Sequence, residues 1–162
     1  IHWFPCRGGW PSAHSRDTAN DPGALAAYAR HLLDLIAAGL FAFVAHPDGF
    51  AMFYDCWDAE TAAISRDIAQ AARDAGIPLE INAYGLRKPW LATAEGSRPV
   101  YPWTPFWEVV ADCGAPVMVN SDAHRPEDVT GKVEEALALA TPADLRLAPP
   151  FPLPDARPAV QA

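Results

Sequence analysis

Hydrophobic and polar positions follow one pattern that recurs three times after residue 21. Each repeat has apolar residues at helical spacing, then a glycine, a short apolar run and a group of polar residues. The helical stretches end at Gly39, Gly76 and Gly114, and glycine readily adopts the left-handed conformation that ends many helices. Helices that alternate with apolar strands across short turns predict an α/β fold with parallel strands buried on both faces.

The three apolar runs are predicted as strands over 41–45, 78–82 and 116–119. Capping side chains or first-turn prolines stand at the starts of the helices: Asp21 with Pro22, Asp58, and Thr104 with Pro105. A last helix is expected near 130–140. Residues 141–162 hold many of the prolines without periodicity, which predicts an extended strap or a partly disordered tail.

Composition narrows the functional classes. The chain has 162 residues, of which 51% are hydrophobic and 20% charged, which is typical of one globular domain. A formal charge of −8 disfavours nucleic acid, and no apolar run reaches the ~20 residues that span a bilayer. Three irregularly spaced cysteines suit neither a disulfide framework nor a zinc knuckle, so a cytoplasmic location is expected.

Imidazoles and a carboxylate follow the predicted strands, where the chemistry of parallel α/β folds is usually found. His46 follows the first strand, and Asp122 and His124 follow the third. His2 lies in the apolar opening segment, which also resembles a strand. In an extended segment Asp122 and His124 would face the same side. Because all four residues lie at or beyond predicted strand ends, they are predicted to converge and bind a divalent metal. Taken alone, an Asp-Ala-His segment is more often a hydrogen-bonded loop than a metal site, and a lone histidine in the position of His46 is also compatible with a place in the core.

Two arginines lie beside these strand ends. Arg87 follows the second strand and Arg125 directly follows His124, and a guanidinium is well suited to phosphate oxygens. Lys88 and Arg98 are interpreted instead as solvent-exposed charges, although the loop that carries Arg98 is long enough to fold back. Glu80 with Asn82 is interpreted as hydrogen-bonding support for the metal ligands.

Four strings carry a resemblance to a known family: I-H-W at 1–3, V-A-H-P-D at 44–48, L-E-I-N-A-Y-G-L-R-K-P at 79–89, and V-N-S-D-A-H-R-P-E-D-V at 119–129. Together they resemble the second half of a histidinol-phosphatase of the polymerase and histidinol phosphatase (PHP) superfamily, over residues 1–140. The resemblance implies a distorted (βα)7 barrel with up to three metal ions. It also implies that His2 and His46 bind one metal, Asp122 a second and His124 a third, and that Arg87 and Arg125 bind phosphate.

The family's first motif, an H-x-H, and its bridging glutamate would precede Ile1. By the resemblance, the chain is therefore expected to be the C-terminal part of the barrel, to need an N-terminal segment as its partner, and to be inactive alone. Glu80 does not take the bridging role, because it follows the H-P-D motif.

The function implied is metal-dependent hydrolysis of a small phosphate monoester, L-histidinol phosphate, to L-histidinol and phosphate in histidine biosynthesis. Two alternatives stay open. One is a PHP-type enzyme acting on another small phosphate ester, and the other is a degenerate domain that binds metal or phosphate without turnover. The ligands do not distinguish zinc, manganese and iron.

Overall fold

The computed structural model describes residues 22–94, 96–140 and 145–149 of a mixed α/β chain, in which helices pack on a small parallel sheet. Its elements in chain order are α1 (Pro22–Ala38), α2 (Ala59–Ala75), β1 (Leu79–Asn82), β2 (Leu91–Thr93), β3 (Gly96–Arg98), α3 (Thr104–Cys113), β4 (Pro116–Asn120), α4 (Val133–Ala140) and β5 (Arg146–Leu147).

The helices predicted before Gly39, Gly76 and Gly114 are confirmed. Asp58 begins α2 with a capping box, in which its side chain accepts the N–H of Thr61 and the Thr61 hydroxyl accepts that of Asp58, each at 2.8 Å. α4 begins at Val133, later than expected. A 3₁₀ turn occupies 126–128 and Lys132 has a φ of +60°, which delays the regular helix.

The sheet joins two of the predicted strands directly. β1 and β4 are parallel, in a register that pairs Leu79 with Val117 and Asn82 with Asn120. β5 extends the sheet on the other side of β4, so this part of the proline-rich tail is a short paired strand. Buried side chains between the sheet and the helices form the core, including Ile68, Leu79, Ile81, Phe106 and Trp107.

The strand predicted over 41–45 is wrong in extent, because only Val44 makes a bridge, to Leu79. Val44 donates to the carbonyl of Pro78 and accepts from the N–H of Glu80, both at 2.9 Å. A longer ladder would next need an N–H from Pro78, which proline lacks. At the other end, the N–H of His46 is taken by the Glu80 side chain.

The hairpin of β2 and β3 was not predicted. Its strands are antiparallel and pair Leu91 with Arg98. The segment lacks an alternating apolar pattern, and Gly96, with a φ of +120°, allows the backbone to reverse. Across the described residues, no helix combines the length and the apolar character needed to cross a membrane.

Candidate functional site

The carboxyl ends of β1 and β4 place four polar side chains side by side. Parallel pairing sets Asn82 opposite Asn120, and Glu80 lies one alternate position before Asn82, on the same face. Asp122 follows β4 and accepts a hydrogen bond from Asn82 Nδ2 to its Oδ2 at 3.2 Å. These four residues, together with His46, form what we call the strand-end cluster.

Glu80 is the centre of the strand-end cluster. Its Oε2 accepts from the main-chain N–H of His46 and from Asn82 Nδ2, each at 3.0 Å, and its Oε1 accepts from Asn120 Nδ2 at 2.9 Å. The side chain is only 2% exposed. Three N–H donors therefore satisfy a carboxylate that burial would otherwise penalise. The hydrogen bonds expected of Glu80 and Asn82 are present, and their support of metal ligands stays a prediction.

Asp122 and His124 contact each other, but not in the extended geometry expected from the sequence. Asp122 has a φ of +50°, so the argument from alternating side chains does not hold here. Instead, His124 Nδ1 lies 2.8 Å from the main-chain oxygen of Asp122 and 3.9 Å from its Oδ1. The His124 ring stacks on Tyr84, with 4.7 Å between ring centroids.

His46 is held from both sides. Its φ of +33° directs the chain out of the sheet as its N–H turns to Glu80. The Tyr28 hydroxyl donates to the main-chain oxygens of His46, at 3.2 Å, and Pro47, at 2.9 Å. The imidazole stacks on the Tyr101 ring at 5.8 Å. His46 is therefore a positioned side chain at the edge of the strand-end cluster.

Lys88 contacts the two tyrosines on whose rings these histidines stack. Its Nζ is 5.0 Å from the ring centroid of Tyr84 and 5.0 Å from that of Tyr101. The side chain is half-buried rather than solvent-exposed, which corrects the expectation for this residue. Burial lowers the pKa of Lys88, an effect that the nearby charge of Asp122 opposes.

A 3₁₀ turn over 83–87 delivers Tyr84 and Lys88 to this position. The Asn82 side chain begins the turn by accepting the Tyr84 N–H at 2.8 Å. Gly85 lets the turn approach Tyr101, because a Cβ at position 85 would lie 2.1 Å from the Tyr101 carbonyl oxygen. Burial raises the pKa of Tyr101, and the charge of Asp122 raises it further.

Arg87 is adjacent to the cluster, but its guanidinium contacts the main chain. It donates to the carbonyl oxygens of Ser121 at 2.7 Å, Gly131 at 2.8 Å and Asp122 at 3.3 Å. These bonds fix the loop that carries Asp122 and His124. Whether Arg87 also binds phosphate stays a prediction.

The other arginines differ in their surroundings. Arg125 is exposed beside His124, and its phosphate-binding role stays a prediction. Arg98 is not simply exposed, because its loop folds back. Its guanidinium donates to the main-chain oxygens of Ala51 and Tyr54 and lies 4.2 Å from the Trp103 ring centroid.

Asp48 is a fully buried carboxylate close to His46. Its Oδ2 accepts from the main-chain N–H of Trp103 at 2.8 Å and from Trp107 Nε1 at 2.9 Å. Its Oδ1 has no hydrogen-bond partner among the described residues. Burial is the main reason that the pKa of Asp48 rises to about 6, and the charge of Glu80 contributes.

The donor atoms of the described residues fit the predicted metal in kind. Imidazole nitrogens from His46 and His124 and a carboxylate from Asp122 suit zinc, manganese or iron. Within residues 22–94, 96–140 and 145–149, however, no group of three His, Cys, Asp or Glu side chains is arranged to hold a metal ion. His2 lies outside the described residues.

Sequence reasoning missed the contributions of Tyr84, Tyr101, Asn120 and Asp48. Tyr84 and Asp48 lie within the four strings of the resemblance, so their closeness in sequence to the predicted ligands could have indicated a place in the site. Tyr101 comes from a separate loop, and no sequence pattern connects it to His46.

No known family model matches this chain, and no curated protein matches it either. The resemblance to the PHP superfamily therefore depends on the motifs alone.

Proposed function

We propose that this chain is the C-terminal part of a PHP-type (βα)7 barrel and supplies part of the site of a metal-dependent phosphomonoesterase. The observation that most supports this proposal is the strand-end cluster, in which Glu80 connects the main chain of His46 to Asp122 through Asn82. It supports the proposal because two of the residues that the resemblance selects as ligands are joined in one hydrogen-bond network, through the main chain of His46 and the side chain of Asp122.

In this proposal His46, Asp122 and His124 hold metal, together with His2 from outside the described residues. A divalent metal supplies Lewis-acid polarisation of a phosphoryl oxygen.

The described residues have two roles in the proposed site. Glu80 fixes the position of His46, and Asn82 fixes one carboxylate oxygen of Asp122, which leaves Oδ1 toward His124. Arg87 holds the loop after β4 through the carbonyl oxygens of Ser121 and Gly131. The hydrogen bond to the Asp122 side chain orients a proposed ligand directly, and the other bonds fix the main chain that carries the proposed ligands. Contacts that orient metal ligands raise metal affinity.

L-Histidinol phosphate is the substrate that the resemblance implies, and other small phosphate esters are the alternative substrates. A second candidate function is binding of metal or phosphate without turnover.

The test uses protein expressed from its complete gene. Bound zinc, manganese and iron are measured by mass spectrometry, and phosphate release is measured from L-histidinol phosphate, phosphoserine and a nucleoside monophosphate. We expect bound metal, turnover, and loss of both in Asp122→Asn and His124→Ala. Asp112→Asn, an exposed carboxylate on α3, is the matched control and should retain both.

Three results decide between the candidates. Turnover of one ester over the others identifies the substrate class. Metal or phosphate binding without release of phosphate favours the second candidate. Metal-free protein that stays inactive after metal is added, or an Asp122→Asn variant that equals wild type, contradicts the proposal.

A further inference from the structure

Two segments from different parts of the chain meet at His46. The first, 47–54, directly follows it, and the second is the loop over 99–103. In this loop the Tyr101 ring stacks on the His46 imidazole, with 5.8 Å between centroids and 27° between planes. Hydrogen bonds hold the main chain of His46, whereas Tyr101 contacts its ring. The orientation of the imidazole therefore depends on how the two segments are joined.

Few main-chain donors hold the loop over 99–103 in place. Pro99 and Pro102 have no N–H, and the N–H of Trp103 donates to the Asp48 side chain rather than to a main-chain oxygen. Three of the five residues in the loop therefore give no N–H to main-chain pairing. The position of the loop depends instead on side-chain contacts.

Arg98 makes contacts that join the two segments. It ends β3, directly before the loop, and is half-buried. Its Nη2 donates to the main-chain oxygens of Ala51, at 2.8 Å, and Tyr54, and its Nη1 donates to that of Pro99 at 3.1 Å. The guanidinium also lies 4.2 Å from the Trp103 ring centroid. One cation thus contacts both segments.

We propose that Arg98 is a positioning residue of the candidate site, which joins 47–54 to 99–103 and thereby holds the Tyr101 ring against the His46 imidazole. The terminal nitrogens of Arg98 are engaged by main-chain oxygens, so it acts through Tyr101 and not by contact with a ligand. The inference rests on the proposed function for what His46 binds.

The guanidinium is suited to this role by its shape and charge. Its planar fork donates to several oxygens at once, and hydrogen bonds from a charged donor are about twice as strong as neutral ones. Packing against the Trp103 ring fixes the plane of the fork. A lysine keeps the charge but has no fork, so it should hold the two segments together less firmly.

The test measures the contact between the Tyr101 and His46 rings by nuclear Overhauser effects, in metal-free protein from the complete gene with labelled histidine and tyrosine. We expect Arg98→Met to weaken the cross-peak between these rings several-fold. The stack of His124 on Tyr84, at 4.7 Å, is the internal control and should be unchanged. A general loosening of the fold would weaken both stacks, so the difference between them isolates the positioning role.

Two further variants complete this measurement. Arg98→Lys should keep a cross-peak of intermediate strength, and it gives the comparison if Arg98→Met does not fold. Arg73→Met should equal wild type and is the matched control, because Arg73 also donates to a main-chain oxygen, that of Cys113 at 3.5 Å. A cross-peak of wild-type strength in folded Arg98→Met, or in Arg98→Lys, overturns the inference, as does a wild-type protein that lacks the cross-peak.

Metal titration separates failure of this inference from failure of the proposed function. Wild type and Arg98→Met are titrated with zinc and with manganese, and we expect the variant to bind about tenfold more weakly. Equal affinity in the two proteins overturns the inference and leaves the proposed function intact. If wild type binds neither metal, the proposed function is contradicted, and the cross-peaks still decide whether Arg98 positions His46.

Discussion

The Glu80 carboxylate replaces its own main chain in pairing with His46. In a continued parallel ladder, the His46 N–H would donate to the carbonyl oxygen of Glu80, but it donates instead to Oε2 at 3.0 Å. The ladder ends there, and His46 takes a φ of +33°. A single buried side chain thus ends the strand pairing and positions a candidate ligand.

Replacing Glu80 by alanine should destabilise the protein by about 2–4 kcal/mol, because one buried and two part-buried N–H donors lose their acceptor. Urea unfolding at neutral pH measures this change. Glu80→Gln keeps one oxygen acceptor and should cost less.

Glu108→Ala on the exposed face of α3 is the matched control, and we expect a change within about 0.5 kcal/mol. If Glu80→Ala and Glu108→Ala were equally stable, Glu80 would not be the centre of the cluster.

Gly85→Ala tests the close approach of the 83–87 turn to Tyr101. Its Cβ would lie 2.1 Å from the Tyr101 carbonyl oxygen, so backbone must move, at a cost of about 1–3 kcal/mol. Near-UV circular dichroism should change as Tyr101 shifts against His46, and urea unfolding gives the energy.

Gly76→Ala separates steric crowding from backbone strain. Gly76 has a φ of +66° and nothing within 4 Å of an added Cβ, so only the conformational cost of about 1–2 kcal/mol applies. An unchanged near-UV spectrum is expected. A Gly85→Ala variant with wild-type stability and spectrum would show that the turn adapts freely.

The helices and two of the three repeated strands were predictable because their signals are local. Capping at Asp58, a left-handed Gly76 and apolar spacing lie within one segment, and the structure follows them. The extent of 41–45 was not predictable from its own residues. It depends on Pro78 and Glu80 across the sheet, and a periodicity argument within 41–45 does not include them.

The candidate site divides in the same way. Glu80, Asn82 and Asp122 stand at strand ends, so their meeting followed from parallel pairing. The place of Lys88 between two rings depends on Tyr101, which comes from a loop with no periodic signal. No sequence pattern therefore predicted that Lys88 is half-buried between these rings.

Arg87→Lys should destabilise the protein by about 1.5–3 kcal/mol, because a lysine cannot reproduce the planar fork that reaches Ser121 and Gly131. Hydrogen exchange should accelerate across 121–131, the loop that carries Asp122 and His124. Both are measured on the folded variant without substrate.

Arg66→Lys, at an exposed position of α2, is the control and should leave stability and exchange unchanged. If Arg87→Lys lowered phosphate affinity while stability and loop exchange matched wild type, Arg87 would be a phosphate ligand and not a support for the loop.

The buried Asp48 should make stability depend on pH. Burial raises its pKa from 3.8 to about 6, so between these values the unfolded chain releases a proton that the folded chain keeps. The folded state then binds more protons, and stability falls as pH rises from about 4 to about 6. The full loss is about 3 kcal/mol, since one pKa unit corresponds to about 1.4 kcal/mol.

Asp48→Asn removes this ionisation while its amide oxygen can still accept from Trp103 and Trp107. Urea unfolding of wild type and Asp48→Asn at intervals from pH 4 to pH 7 isolates the contribution of the Asp48 ionisation to stability, because all other groups titrate in both proteins. We expect the stability of wild type relative to Asp48→Asn to fall by about 2–3 kcal/mol over that range and to level off above pH 6. Parallel curves would mean that Asp48 is ionised in the folded protein throughout, with a donor to Oδ1 that the described residues do not supply.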